Sequence, residues 1–147
     1  MKKELLIDSL NKLLADTHLI NVKLHNYHWN IEGPQFLPVH HLTEEYYNHF
    51  FAVFDDVAER ILQLGKKPIA TTKGYLEVSG LSEEEGNSFT AEQVFKSLAA
   101  DFDYLHQNTI ALLREAEELG DVTTGNMMAD LNDWLEKAIW MLRQSLV

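Results

Sequence analysis

The sequence contains no cysteine, which excludes disulfides, thiolate nucleophiles and thiolate metal sites alike. No apolar run approaches the ~18 to 20 residues of a membrane-spanning helix. The opening MKKELLIDSLN carries two lysines but neither an unbroken apolar core nor a small-residue cleavage site. No signal peptide is read there, and a cytoplasmic location is the expectation. Apolar and polar residues nowhere alternate with period two, so no sheet is expected. Positive charge is scarce as well. Twelve Lys and Arg stand against 23 Asp and Glu, a formal net charge of −11. That balance favours solubility and the attraction of cations, and it disfavours contact with bare phosphate backbones.

What remains is helical. The 147 residues are 46% hydrophobic, enough for one domain, residues 1–147, with a sizeable core. A first helix is predicted from about Lys3 to Asn30. Along it Leu6, Leu10, Leu13, Thr17, Ile20, Leu24, Tyr27 and Ile31 repeat at alternating spacings of four and three. A second helix is predicted from about Val39 to Leu64. The connection that follows, residues 66–90, is punctuated by Pro68, Gly74, Gly80, Gly86 and Asn87, and a short helix fits within Thr72 to Val78. Ser82-Glu83-Glu84-Glu85 reads as a solvated acidic turn.

Thr90 and Gln93 form a capping box that opens the third long helix, and Gly120 closes it. Its stripe is Phe95, Leu98, Phe102, Leu105, Thr109, Leu112, Ala116 and Leu119. The last helix is expected to begin near Thr124 to Asn126 and to reach about Leu146, with Met128, Leu131, Leu135, Ala138 and Leu142 inward. The pattern supports an all-α four-helix bundle, with a long crossover between helices 2 and 3.

The second helix carries the chemistry. At about 100° per residue, Val39, Leu42, Tyr46, Phe50, Val53, Val57, Ile61 and Leu64 share the stripe that packs into the bundle. His40, Glu44, Asp55 and Glu59 cluster roughly 160° away from it. Phe51, Ala58 and Leu62 lie among these four, which is costly if water covers them. An outer face that mixes potential metal ligands with apolar residues reads as a contact with another helix.

Spacing decides which helix. His40 and Glu44 are one turn apart, as are Asp55 and Glu59, so each pair can reach one ion. The pairs are separated by fifteen positions, or about 22 Å of helix, while metal–ligand bonds are near 2 Å. One helix cannot bring both pairs to one metal, but an antiparallel copy of itself can. If facing residues have numbers that add to 99, His40 meets Glu59 and Glu44 meets Asp55. A two-fold axis then passes near Asn48 and Phe51 and creates two equivalent sites. His28 ends the preceding helix, and the loop through Gly33 and Pro34 returns the chain to His40. The ligand set is therefore His28, His40 and Glu44 from one subunit with Asp55 and Glu59 from its partner. Imidazole and carboxylate ligands with open positions suit redox-active iron better than closed structural zinc.

These residues carry a resemblance. His28-Trp29, His40 twelve residues later, and Asp55-Asp56-Val57-Ala58-Glu59-Arg60 resemble the signature of the Dps family, the mini-ferritins. The resemblance covers nearly the whole chain. It implies a ferritin-like subunit in a hollow dodecamer built from two-fold dimers. It also implies a ferroxidase at the dimer interface that oxidises Fe(II), preferentially with hydrogen peroxide, and stores ferric mineral while protecting the cell from oxidative damage. Glu44 departs from the family, which most often has Asp there; it keeps the carboxylate but reaches one methylene further. A negative observation agrees. No Glu has a His three residues later, the pair that larger ferritins place inside the bundle, and the interior stripes are apolar or aromatic.

The remaining candidates fall into place around that site. His18, His25, His49 and His106 lack partners at ligand spacing and read as surface or packing residues. His41 points about 100° away from His40. Trp29 is placed to pack near the site, where the resemblance allows an indole to intercept oxidising equivalents. Arg60 is a partner for a carboxylate. Acids at the start of the last helix line iron-entry pores in the family, and Asp121 matches best, ahead of Asp130 and Asp133; the competing reading is a carboxylate at a helix N-terminus. Met127 and Met128 read as packing residues.

Two other functions compete. One is DNA compaction around structural metal sites, which the net charge disfavours. Only Lys2 and Lys3 stand where DNA-binding relatives carry a lysine-rich extension, and Lys66-Lys67 is the remaining basic pair. The other is a purely structural assembly whose interface ligands hold zinc.

Overall fold

The computed structural model describes residues 2–147 as five helices: α1 Lys2–Asn30, α2 Phe36–Gln63, α3 Thr72–Val78, α4 Ala91–Leu119 and α5 Val122–Gln144. α1 packs along α2 and α4 along α5, with α1 also against α4, and the short α3 rests on α1. The stripes meet as expected. Every residue of the predicted α1 seam is buried, and so are Val39, Tyr46, Phe50, Val57 and Ile61 of α2. Tyr46 and Phe50 stack edgewise or tilted on Phe102 at 5.1 and 5.5 Å, and Phe102 in turn lies 5.7 Å from Trp134. This aromatic plug ties α2 to α4 and α5, so the stripe of α2 is fixed inward and its opposite face is fixed outward.

Helix boundaries follow local chemistry. The Thr90–Gln93 capping box forms in both directions, and Gly120 ends α4 in the left-handed conformation at φ 69°. α2 begins at Phe36 rather than the expected Val39. Pro38 falls in the first turn, where no backbone donor is required, so it does not delay the helix. α5 spans Val122–Gln144 instead of starting near Thr124 and ending near Leu146, because the Asp121 side chain accepts from Thr124 N and caps the helix earlier. Leu119, assigned to the inward stripe of α4, is exposed. Among the described residues, the only extended pairing is an isolated parallel bridge between Ile31 and Phe89. Through it the end of α1 is tied to the end of the crossover.

The interior is less purely apolar than the stripes suggest. Asp16 is fully buried; one oxygen accepts from the Ser79 hydroxyl at 2.6 Å and Gly80 N at 2.9 Å, the other from the Tyr104 hydroxyl at 2.9 Å. Burial pushes its carboxyl above the usual range, opposed by those hydrogen bonds. Gly80 is required here, since a Cβ would sit 2.1 Å from the Tyr104 oxygen. Lys23 and Asp101 pair at 2.5 Å between α1 and α4. Glu84, expected in a solvated turn, accepts from the Tyr27 hydroxyl at 2.9 Å. The bonds of Ser79, Gly80 and Glu84 pin the crossover across one side of the bundle.

Candidate metal centre

The end of α1 and the start of α2 are joined by a five-residue loop, 31–35, in which Gly33 takes φ 106°. That short return brings His28 and His40 face to face. Their rings stack with centroids 3.6 Å apart and planes inclined by 15°. His28 Nδ1 lies 2.7 Å from the His40 carbonyl oxygen, and His40 Nδ1 lies 2.8 Å from the His28 carbonyl oxygen. A carbonyl can only accept, so each Nδ1 carries the proton. In the neutral ring the lone pair is then left on Nε2, the tautomer a metal needs, and a backbone carbonyl sets that tautomer. His28 is 6% exposed, and burial lowers its pKa, which favours the neutral, metal-binding form. Phe36 also stacks on His40, at 5.1 Å.

The carboxylates are arranged differently. Glu44, Asp55 and Glu59 are all exposed. Glu44 has the Tyr47 hydroxyl at 3.5 Å, a loose contact, while Asp55 and Glu59 make no hydrogen bond or ion pair among the described residues. The subunit brings together His28 and His40 and does not bring Asp55 or Glu59 to them; they stand toward the other end of α2. Among the described residues, no group of three or more His, Asp or Glu side chains converges closely enough to hold an ion. A lone subunit carries the candidate ligands as two separate half-sets.

Around these half-sets the surface is apolar. Leu37, Phe51 and Leu62 are 62%, 67% and 53% exposed. On the α2 wheel they fall within the same arc of about 100° as His40, Glu44, Asp55 and Glu59. The numbers of Leu37 and Leu62 also add to 99, so the antiparallel register expected to pair the candidate ligands would pair these two leucines as well. Trp29 is 68% exposed beside the site, with His25 tilted against it at 5.5 Å. His25 stacks on Tyr47 at 4.0 Å, and Tyr47 meets His28 edge-on at 5.2 Å. Tyr47 and Thr43 escaped the sequence reading. Their positions seven and three residues past His40 were the available signal, but neither belongs to the imidazole-and-carboxylate pattern that marked the candidate ligands.

The other histidines pack as expected. His18 lies between Phe54 and Tyr75, His49 stacks on Trp134 at 3.7 Å, and His106 bonds Glu136 at 2.9 Å. Met128 is buried and Met127 partly so, while Asp130 and Asp133 are exposed on α5.

Asp121 is not a free acid. Besides capping α5, it pairs with Arg60 Nη2 at 2.8 Å, and Arg60 Nε donates to Thr124 Oγ1 at 2.9 Å. Burial alone raises its carboxyl pKa; the Thr124 hydroxyl and amide and the Arg60 charge outweigh this and leave it lowered. A lowered carboxyl stabilises the fold above the unfolded value near 3.8 and loses that contribution as pH falls through the folded value. Asp121→Ala is therefore expected to cost about 0.5 to 2 kcal/mol at neutral pH, the range for a lost N-cap. The gap to wild type should narrow below pH 3.8, as read by chemical denaturation at the two pH values.

Comparison with known proteins identifies the fold and the family. Residues 7–147 match the ferritin-like domain. The chain is 42% identical over 143 residues to general stress protein 20U of Bacillus subtilis strain 168, covering 97% of this chain and 98% of that protein. It is 39% identical to the DNA protection during starvation protein of Helicobacter pylori strain J99, covering 93% and 95%. Its fold superposes with a TM-score of 0.96 on the Dps protein from Vibrio cholerae O1, at 32% identity over 99% of this chain and 91% of that one. The chain belongs to the Dps family. The Vibrio cholerae protein is described as one of a broad superfamily of ferritin-like diiron-carboxylate proteins. The all-α ferritin-like bundle read from the sequence is thus the fold of this Dps chain, with α3 as the extra short helix. Among the described residues, no helix is long and apolar enough to cross a membrane.

Proposed function

We propose that this Dps chain oxidises Fe(II) with hydrogen peroxide, and more slowly with oxygen, at sites shared between two subunits. In this reading it stores the ferric product inside a closed twelve-subunit shell. The observation that carries the reading is the division of α2. Two imidazoles with Nδ1 committed to carbonyls stand at one end, and two unpaired carboxylates stand toward the other. The register that joins them across a two-fold axis also covers Leu37 and Leu62. The diiron-carboxylate superfamily of the Vibrio cholerae relative supports the same chemistry.

Each part of the ligand set has a task. His28 and His40 offer pre-oriented lone pairs without adding charge. Glu44, Asp55 and Glu59 supply negative charge, which stabilises Fe(III) over Fe(II) by Coulomb attraction and so makes the electron easier to remove. Two Fe(II) each give one electron to hydrogen peroxide and become Fe(III). The O–O bond breaks and its two oxygens leave as hydroxide, which takes up two of the protons released as Fe(III) hydrolyses water to the ferric product. Delivering both electrons together avoids release of a hydroxyl radical. Zinc suits the same donors but gives no electron.

Fe(II) is loaded anaerobically and a stoichiometric peroxide pulse is followed by ferric absorbance. The expected result is oxidation much faster than free iron, two Fe(II) consumed per peroxide, no hydroxyl-radical spin adduct, and inhibition by zinc added first. A rate equal to that of free iron, unaffected by zinc, would sink the ferroxidase reading.

A further inference from the structure

Thr43 is fully buried where α1 meets α2, one turn past His40, and none of the chemistry above uses it. Its hydroxyl oxygen lies 2.8 Å from the Val39 carbonyl and 3.0 Å from the His40 carbonyl. The single hydroxyl proton is therefore directed back along its own helix, and a lone pair is left facing His28 Nδ1 at 3.1 Å. The same Nδ1 reaches the His40 carbonyl at 2.7 Å. Hydroxyl, carbonyl and imidazole close a triangle whose other two corners belong to α2.

The carbonyl alone decides which ring nitrogen carries the proton. It does not fix the rotation of the ring within its own plane, because an imidazole stacked on His40 can still turn about one hydrogen bond. A second acceptor on the same rigid helix removes that freedom. We infer that Thr43 is a positioning residue of the metal centre, its hydroxyl oxygen holding the His28 ring at the rotation from which Nε2 faces the ion. The inference rests on the proposed role of His28 as a ligand.

The substitutions follow from the distances. A valine methyl in place of the Thr43 oxygen stands 3.1 Å from Nδ1, inside the ~3.5 to 4.0 Å that a methyl contact prefers, so the ring must turn away. Neither carbonyl is orphaned, since each still accepts the helical amide four residues on. Thr43→Ala removes the oxygen without adding a clash. Thr43→Ser keeps the oxygen.

Co(II) alone, titrated into the assembled protein without iron or oxidant, reports both affinity and ligand geometry through its visible absorption. Thr43→Val and Thr43→Ala are expected to weaken Co(II) binding roughly 10- to 100-fold, the range for losing the outer partner of a ligating histidine, and to change the band pattern. Thr43→Ser is expected to restore both. Wild-type affinity and spectrum in the Ala variant, with His28→Ala losing Co(II), would overturn the positioning role and leave the metal centre standing. A Ser variant as weak as Ala would overturn it too, since the oxygen would then not matter. If His28→Ala itself binds Co(II) with an unchanged spectrum, His28 is no ligand and the reading beneath the inference fails with it.

Discussion

Two variants that are each nearly inactive are expected to regain iron oxidation when assembled together. His28→Ala and Asp55→Ala remove ligands from different half-sets. Each alone should lose more than the ~10- to 100-fold that outer-shell changes cost, because a ligand itself is missing. In a dimer of one with the other, one interface site carries both defects and the second carries neither. Equal mixing makes half of the dimers mixed, so about a quarter of all sites are intact in an isologous arrangement. Co-refolded protein should then oxidise iron at about that fraction of the wild-type rate with peroxide. A site contained within one subunit predicts no recovery, because every chain would remain defective. Zero recovery in shells proven to be mixed by mass would therefore refute the shared centre.

Phe51→Glu is expected to abolish the two-fold contact while leaving the subunit folded. Phe51 is 67% exposed on the subunit and lies close to the inferred axis. Covering two phenylalanines across that axis contributes about 3 to 6 kcal/mol, or roughly 10²- to 10⁴-fold in association. Glutamate forfeits that burial and sets two like charges near each other beside Glu44 and Asp55. Sedimentation velocity should show loss of the assembly, circular dichroism should retain the helices, and iron oxidation should fall although no ligand is altered. An intact assembly with normal turnover would remove the antiparallel α2 contact from the account.

How much of this was written in the sequence depends on the range of each interaction. The α1 seam, the α2 stripe, the Thr90 capping box and Gly120 all rest on contacts within a turn or on helical periodicity, and they were legible. Asp16 was not, because its partners Ser79, Gly80 and Tyr104 lie more than sixty positions away and no local pattern marks a buried acid. Lys23 with Asp101, and Tyr27 with Glu84, were hidden for the same reason. At the candidate site, residue types and spacing pointed to His28 and His40, while the reciprocal Nδ1-to-carbonyl bonds depend on a loop geometry that spacing does not encode. Asp121 admitted two readings from sequence. Its bonds to Thr124 and Arg60 are those of a helix cap with a paired charge.

Under the proposed shared centre, the separation of the two half-sets along α2 makes dilution an off-switch. A newly made subunit at low concentration holds its imidazoles and its Asp55–Glu59 carboxylates about four helical turns apart, too far to share an ion. Iron chemistry in such a subunit has to wait for a partner, so the proposed activity rises with association and not with synthesis alone. Ferric product is then formed only where a second chain is already in place to begin enclosing it.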